Sequence, residues 1–308
     1  MEAIRTLEQL VEQLRGCESR RVAVAAGHDE DTIQAAARAA KEDIAKVTLV
    51  GDAERIRSLC ARFSLDYGLF TVVDEKDEAA AGKRARDMVH AGEADVLMKG
   101  LIGTDKYMKL ILDKEKGLLP PGNVLSHVTV FELPAYQKMH GKLLFAADVA
   151  VIPAPDLSTK VKILEYCVAA ARSFGIEKPK VALIAASEKV SERMQATLDA
   201  AVIAKMADRG QIKGAIVDGP LALDVALSPE ACAIKGLQSP VEGAADVIIF
   251  PNIETGNVFY KTASILAGAR LAAVVVGTTV PCVLTSRADD EESKFFSIAL
   301  GCRLAKGK

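Results

Sequence analysis

The chain has no tryptophan, only 5% aromatic residues, and no apolar run near the ~20 residues that cross a bilayer, because charge or glycine interrupts every hydrophobic stretch. A membrane-spanning protein is not expected. Charge of one sign is missing too: 39 basic and 41 acidic residues are interspersed and give a formal net charge of -2, so neither nucleic acid nor a membrane surface is a partner. Any anion site must be local. The six cysteines, at 17, 60, 167, 232, 282 and 302, include no C-x-x-C pair, which excludes a zinc knuckle or redox motif and leaves free thiols. His28, His90, His127 and His140 never fall in H-x-x-x-H spacing, so no pair of imidazoles shares a helix face; surface or packing roles are expected, and no metal site. Near the start, Ile4, Leu7, Leu10, Val11 and Leu14 form a helical stripe with acids between them, unlike the basic end and apolar core of a signal peptide; the cytoplasm is the expected location.

What is present is apolar material: half of 308 residues, enough for one large domain or two smaller ones. Short runs of Val, Ile and Ala alternate with amphipathic segments, the pattern of repeated βα units around largely parallel sheets. Strands are expected at 21–26, 47–50, 70–73, 95–98, 124–131, 149–152, 180–185, 214–217, 246–250, 272–276 and 281–284. Helices at 29–42, 53–63, 77–91, 158–174 and 190–208 would cover strands that are apolar on both faces. The fold class is α/β, a layered αβα sandwich. So many strands favour two α/β domains, with the polar stretch 131–142 as the candidate linker: residues 1–132 with 286–308 form one, and 133–285 the other.

In parallel α/β sheets, ligands gather at the carboxyl ends of strands, where helix N-termini expose N–H groups to anions. Five such junctions stand out. After strand 246–250 come Asn252, Glu254, Thr255, Gly256 and Asn257, with Lys261 a turn later: small, donor-bearing and basic, suited to a phosphate, or equally an ordinary helix cap. After 281–284 come Thr285, Ser286 and Arg287, then Asp289, Asp290, Glu291 and Glu292. Arginine can grip phosphate at two points and serine can hydrogen-bond a reacting sulfur or oxygen, while acids at a helix start also follow from the helix dipole alone. After 95–98 come Lys99, Gly100, Gly103, Thr104, Lys106 and Lys109, with glycine spacing that fits neither dinucleotide nor Walker loops. Asp218, Gly219 and Asp224 follow 214–217, and Ser187 and Glu188 follow 180–185; each could be a plain turn.

Taken with their order along the chain, the segments VLMKG, KMADRGQIKG, DGPLALDVALS, PNIETGNVFYKT and VLTSRAD resemble the phosphate acetyl/butyryltransferase family, in its butyryltransferase branch, over residues 20–302. The resemblance implies a two-domain protein of isocitrate/isopropylmalate dehydrogenase-like fold with its active-site cleft between domains, a homodimer, and the reaction acyl-CoA plus phosphate giving acyl phosphate plus CoA, with no cofactor or metal. It makes Ser286 and Arg287 the catalytic pair and Thr255-Gly256-Asn257 the matching strand-to-helix loop. Lys99, Gly100, Thr104, Asn252, Glu254 and Lys261 join the substrate-binding set. The acetyl branch carries an aspartate seven residues past its serine; here that position is Ser293, so Asp289 or Asp224 would stand in as base.

A thioester is already activated, so such an enzyme needs positioning and oxyanion stabilisation rather than a nucleophilic side chain. Other classes are weighed beside it: phosphate acetyltransferase, a nicotinamide-dependent decarboxylating dehydrogenase, which would want a dinucleotide fingerprint and an acid cluster, and a non-catalytic acyltransferase-like module, which would have lost the Ser-Arg pair.

Overall fold

A computed structural model describes residues 2–285 and 289–305. The chain divides into two compact units. One holds Leu7–Leu125 and the chain from Leu271 onward, and the other holds Ser126–Arg270 and the chain up to Thr6. In the first, α1 (Leu7–Arg15) precedes β1 (Arg20–Ala25), α2 (Glu30–Lys41), β2 (Ala45–Gly51), α3 (Ala53–Arg62), β3 (Phe70–Asp74), α4 (Glu78–His90), β4 (Val96–Lys99) and α5 (Thr104–Ile111). The second comprises β5 (Ser126–Glu132), α6 (Pro134–His140), β6 (Leu144–Ala147), α7 (Leu157–Ser173), β7 (Lys180–Ile184), α8 (Gln195–Asp208), β8 (Ile216–Leu221), α9 (Leu223–Leu227), α10 (Pro229–Ile234), β9 (Val247–Ile249) and α11 (Ile253–Lys261). β10 (Arg270–Val276), β11 (Cys282–Val283) and α12 (Glu291–Leu304) return the chain to the first unit.

Strand order in the first unit is β3-β2-β1-β4-β11-β10, parallel except where β10 meets β11. In the second it is β5-β6-β9-β7-β8, parallel except for β5 against β6. The central strands β4, β6 and β9 are buried at every position, as the doubly apolar runs required. Aspartates start the covering helices: Asp29, Asp52, Asp77, Asp156 and Asp290 each accept a first-turn N–H of α2, α3, α4, α7 and α12, worth about 1 kcal/mol apiece.

The expected strands overlap observed ones except at 149–152, where the strand is instead β6 at Leu144–Ala147; β8 starts at Ile216 and runs to Leu221, so Asp218 and Gly219, expected to follow a strand at 214–217, lie within it. The carboxylate of Asp148 explains the shift, since its Oδ1 accepts the N–H groups of Ala150 and Val151, both at 2.8 Å, and folds that segment into a turn. Likewise α8 begins at Gln195, not 190, because Thr197 Oγ1 bonds the Ser191 and Met194 carbonyls and holds the preceding residues in a loop. The units change over at 125/126 and 270/271. β5 pairs with β6, and β10 pairs with β11, which pairs with β4.

Candidate functional site

In the first unit, the carboxyl ends of β1, β4 and β11 meet around a recess of about 260 Å³ lined by Asp29, Arg55, Lys99, Gly100, Thr285 and Lys294, among others. Lys99 ends β4 and is 2% exposed; its Nζ donates to the Gly100 carbonyl at 3.2 Å. Gly100 is where two backbones approach. Its N–H bonds Ala25 O at 2.9 Å, the next N–H bonds Ala26 O at 2.8 Å, and a Cβ on Gly100 would lie 2.4 Å from Ala26 O. Thr285 is buried just after β11; Ser286 and Arg287 lie outside the described residues. Beyond them, half-buried Asp289 offers its carbonyl to Lys294 Nζ at 2.5 Å. Asp290 caps α12 by accepting the Ser293 N–H at 2.9 Å. Thr104 is exposed at the start of α5, where Gly103 supplies no side-chain cap.

The recess balances charges: Arg55, Lys99 and Lys294 face Asp29, Glu30 and Asp31. Asp29 spends Oδ1 on capping α2, while its Oδ2 is buried with no hydrogen-bond partner among the described residues. Behind it, buried His28 accepts the Asp52 N–H at Nδ1, 3.3 Å away. Burial, then the nearby Arg55 charge, pushes this imidazole below its ordinary pKa. His28 is thus a neutral packing residue in the neutral pH range. His90 and His140 bond the carbonyls of Lys116 and Leu227, and His127 contacts Thr129, so each histidine has a local partner. All six cysteines are free thiols.

The second unit carries the remaining candidates. Asn252 caps α11: its Oδ1 accepts both the N–H and the hydroxyl of Thr255, at 3.0 and 2.7 Å. The place a side chain on Gly256 would need is taken by the Asp148 carbonyl, 2.1 Å from an ideal Cβ, so this glycine lets α11 dock on its own unit. Asn257 donates to Val149 O at 3.2 Å. Glu254 and Lys261 are exposed, with Lys261 Nζ 5.2 Å from the Tyr260 ring centre. Asp224, at the start of α9, lies 3.0 Å from Lys235 Nζ, which also reaches Glu188 at 3.1 Å. The hydrogen bond from Lys235 holds the Asp224 carboxyl below the usual aspartate range.

The structure therefore gathers Lys99, Gly100, Thr285 and Asp289 in one unit and Asn252 to Lys261 with Asp224 in the other. Asp29, Arg55 and Lys294 escaped the sequence reading. Gly27-His28-Asp29 after the first strand is a readable signal, being a polar strand end like the five above and glycine-bearing like three of them. Among the described residues, no helix is long and apolar enough to cross a membrane.

The family model of phosphate acetyl/butaryl transferase matches residues 5–87 and 81–302. A phosphate butyryltransferase of Clostridium acetobutylicum is 43% identical over 305 residues, covering 99% of this chain and 100% of its own length. A phosphate acetyltransferase of Thermotoga maritima is also 43% identical, over 97% of this chain and 99% of its own. Among solved structures, a branched-chain phosphotransacylase from Enterococcus faecalis superposes with a TM-score of 0.79 at 33% identity, covering 93% of this chain and 99% of that one. The chain belongs to the phosphate acetyl/butaryl transferase family and is an acyltransferase.

Proposed function

We propose that the protein moves a short-chain acyl group between coenzyme A and inorganic phosphate, with butyryl preferred over acetyl. The observation that carries this is the near-complete overlap with the clostridial butyryltransferase. Ser293 favours the same branch, standing where the acetyl-specific branch has its aspartate. The equal identity to the Thermotoga enzyme keeps acetyl transfer as the second reading.

A phosphate oxygen attacks the thioester carbonyl carbon; the new C–O bond forms, the C–S bond breaks, and its electron pair leaves on sulfur. Ser286 hydrogen-bonds the departing thiolate. Arg287 and Lys99 hold the phosphate, and fixed positive charge near the carbonyl stabilises the oxyanion. Asn252 and the start of α11 through Asn257, with Lys261, bind substrate anions, as do Gly100 and Thr104. Asp289 or Asp224 manages the CoA proton. Asp224 is already committed to an ion pair with Lys235, which favours Asp289. No acyl-enzyme forms, no cofactor takes part, and the protein works in the cytoplasm as a homodimer. The isocitrate/isopropylmalate dehydrogenase-like architecture belongs to the same reading.

Ser286→Ala and Arg287→Ala test it: each is expected to lower kcat by about 10²–10³ with unchanged folding. Near-parental rates in both would remove the pair from the active site. An acyl-enzyme trapped with acyl-CoA in the absence of phosphate would rule out direct transfer.

A further inference from the structure

Lys294 is a buried cation that the mechanism above leaves without a task. It is 4% exposed, its Nζ donates to the Asp289 carbonyl at 2.5 Å, and the Asp31 carboxylate of α2 lies 3.7 Å away. An ammonium is expensive to bury, and an apolar side chain would suit this wholly buried turn of α12 better: the following residues, Phe295, Phe296, Ser297 and Ile298, are all 0% exposed. Nor does α12 need the lysine to dock. Arg38 on α2 already stacks 3.8 Å over the Phe295 ring and reaches Glu291 at 3.8 Å. What Lys294 alone adds is a charged donor fixed on the backbone of Asp289, at the edge of the recess that also holds Lys99 and Thr285.

We infer that Lys294 is a positioning residue for acyl transfer: by pinning the backbone of Asp289 it sets the orientation in which that carboxylate meets the CoA proton. Asp31 in turn holds the ammonium in place. The inference rests on the proposed function, in which Asp289 handles that proton.

A double-mutant cycle on the full-length protein tests it, with kcat and KM measured for acyl-CoA and for phosphate. Lys294→Met is expected to lower kcat about tenfold while both KM values stay within about twofold, and Lys294→Arg to recover most of the loss. Asp289→Asn should lower kcat by about 10²-fold, and adding Lys294→Met to it should change little further. Parental kcat in Lys294→Met, full additivity in the double variant, or KM values rising in step with the loss of kcat would each overturn the inference. Parental kcat in Asp289→Asn would instead remove Asp289 from the mechanism, a separate failure. Should Lys294→Met not fold, Asp31→Asn decides. Its carboxylate is 46% exposed, and a loss of about two- to fivefold in kcat, absent in the Asp289→Asn background, is expected; an unchanged kcat would refute the role.

Discussion

Gly100→Ala tests whether the turn after β4 exists for backbone packing. The new Cβ would sit 2.4 Å from Ala26 O, 2.9 Å from Ala26 C and 3.0 Å from Ala25 O, all main-chain atoms that cannot rotate away. To restore an ordinary 3.4 Å contact, the two backbones must part by about 1 Å. That movement breaks the bonds from Gly100 N–H to Ala25 O and from Leu101 N–H to Ala26 O, now 2.9 and 2.8 Å. Two hydrogen bonds at about 1 kcal/mol each, with about 1–3 kcal/mol of overpacking strain, give a loss of about 3–5 kcal/mol. At about 2–4 °C per kcal/mol for a chain of this class, the melting temperature should fall by roughly 10 °C. Gly103→Ala is the control, because nothing lies within 4 Å of its Cβ; its midpoint should move by less than about 2 °C. Thermal melts followed by circular dichroism, checked by urea titration, read both. Equal midpoints for Gly100→Ala and the parent would refute the packing argument.

Asp148→Ala should cost about 3 kcal/mol or more in urea midpoint analysis, since it strands the Ser126 hydroxyl and the N–H groups of His127, Ala150 and Val151 that this buried carboxylate now accepts. Asp95 is held below the ordinary aspartate pKa, first by its side-chain hydrogen bond from Arg21. A depressed carboxyl contributes stability above the unfolded pKa of about 3.9 and loses it as pH falls through the folded value, so the stability gap between the parent and Arg21→Met should be full at pH 7 and close below about pH 4. A gap independent of pH would contradict this. Lys235→Met should move the NMR titration of Asp224 upward, toward the ordinary aspartate range; an unmoved curve would mean Lys235 is not the cause.

The βα rhythm was legible because strands buried on both faces must be apolar runs, and helices covering them must be periodic. β6 was misplaced because LLFAADVAVI offers two adjacent apolar runs, and only the side chain of Asp148, satisfied by the turn at 150–151, decides between them. The loop motifs were readable as polar strand ends, but their internal roles were not. Whether the Thr255 hydroxyl faces a ligand or Asn252 depends on the turn that seats Asn252 three residues earlier, and whether Gly256 makes room for an anion or for the Asp148 carbonyl depends on a contact more than 100 residues away in sequence. Lys294 was invisible for the same reason. In EESKFFSIALG nothing marks the lysine as buried until α12 is laid against α2.

Acyl phosphate formation from a C2 to C6 series of acyl-CoAs, each with and without inorganic phosphate, bears most directly on the proposed activity. The expected result is CoA release that requires phosphate, yields acyl phosphate in equal amount, and has its highest kcat/KM at butyryl-CoA. CoA release without phosphate, or with free acid as the product, would contradict acyl transfer to phosphate, and a maximum at acetyl-CoA would contradict the butyryl preference.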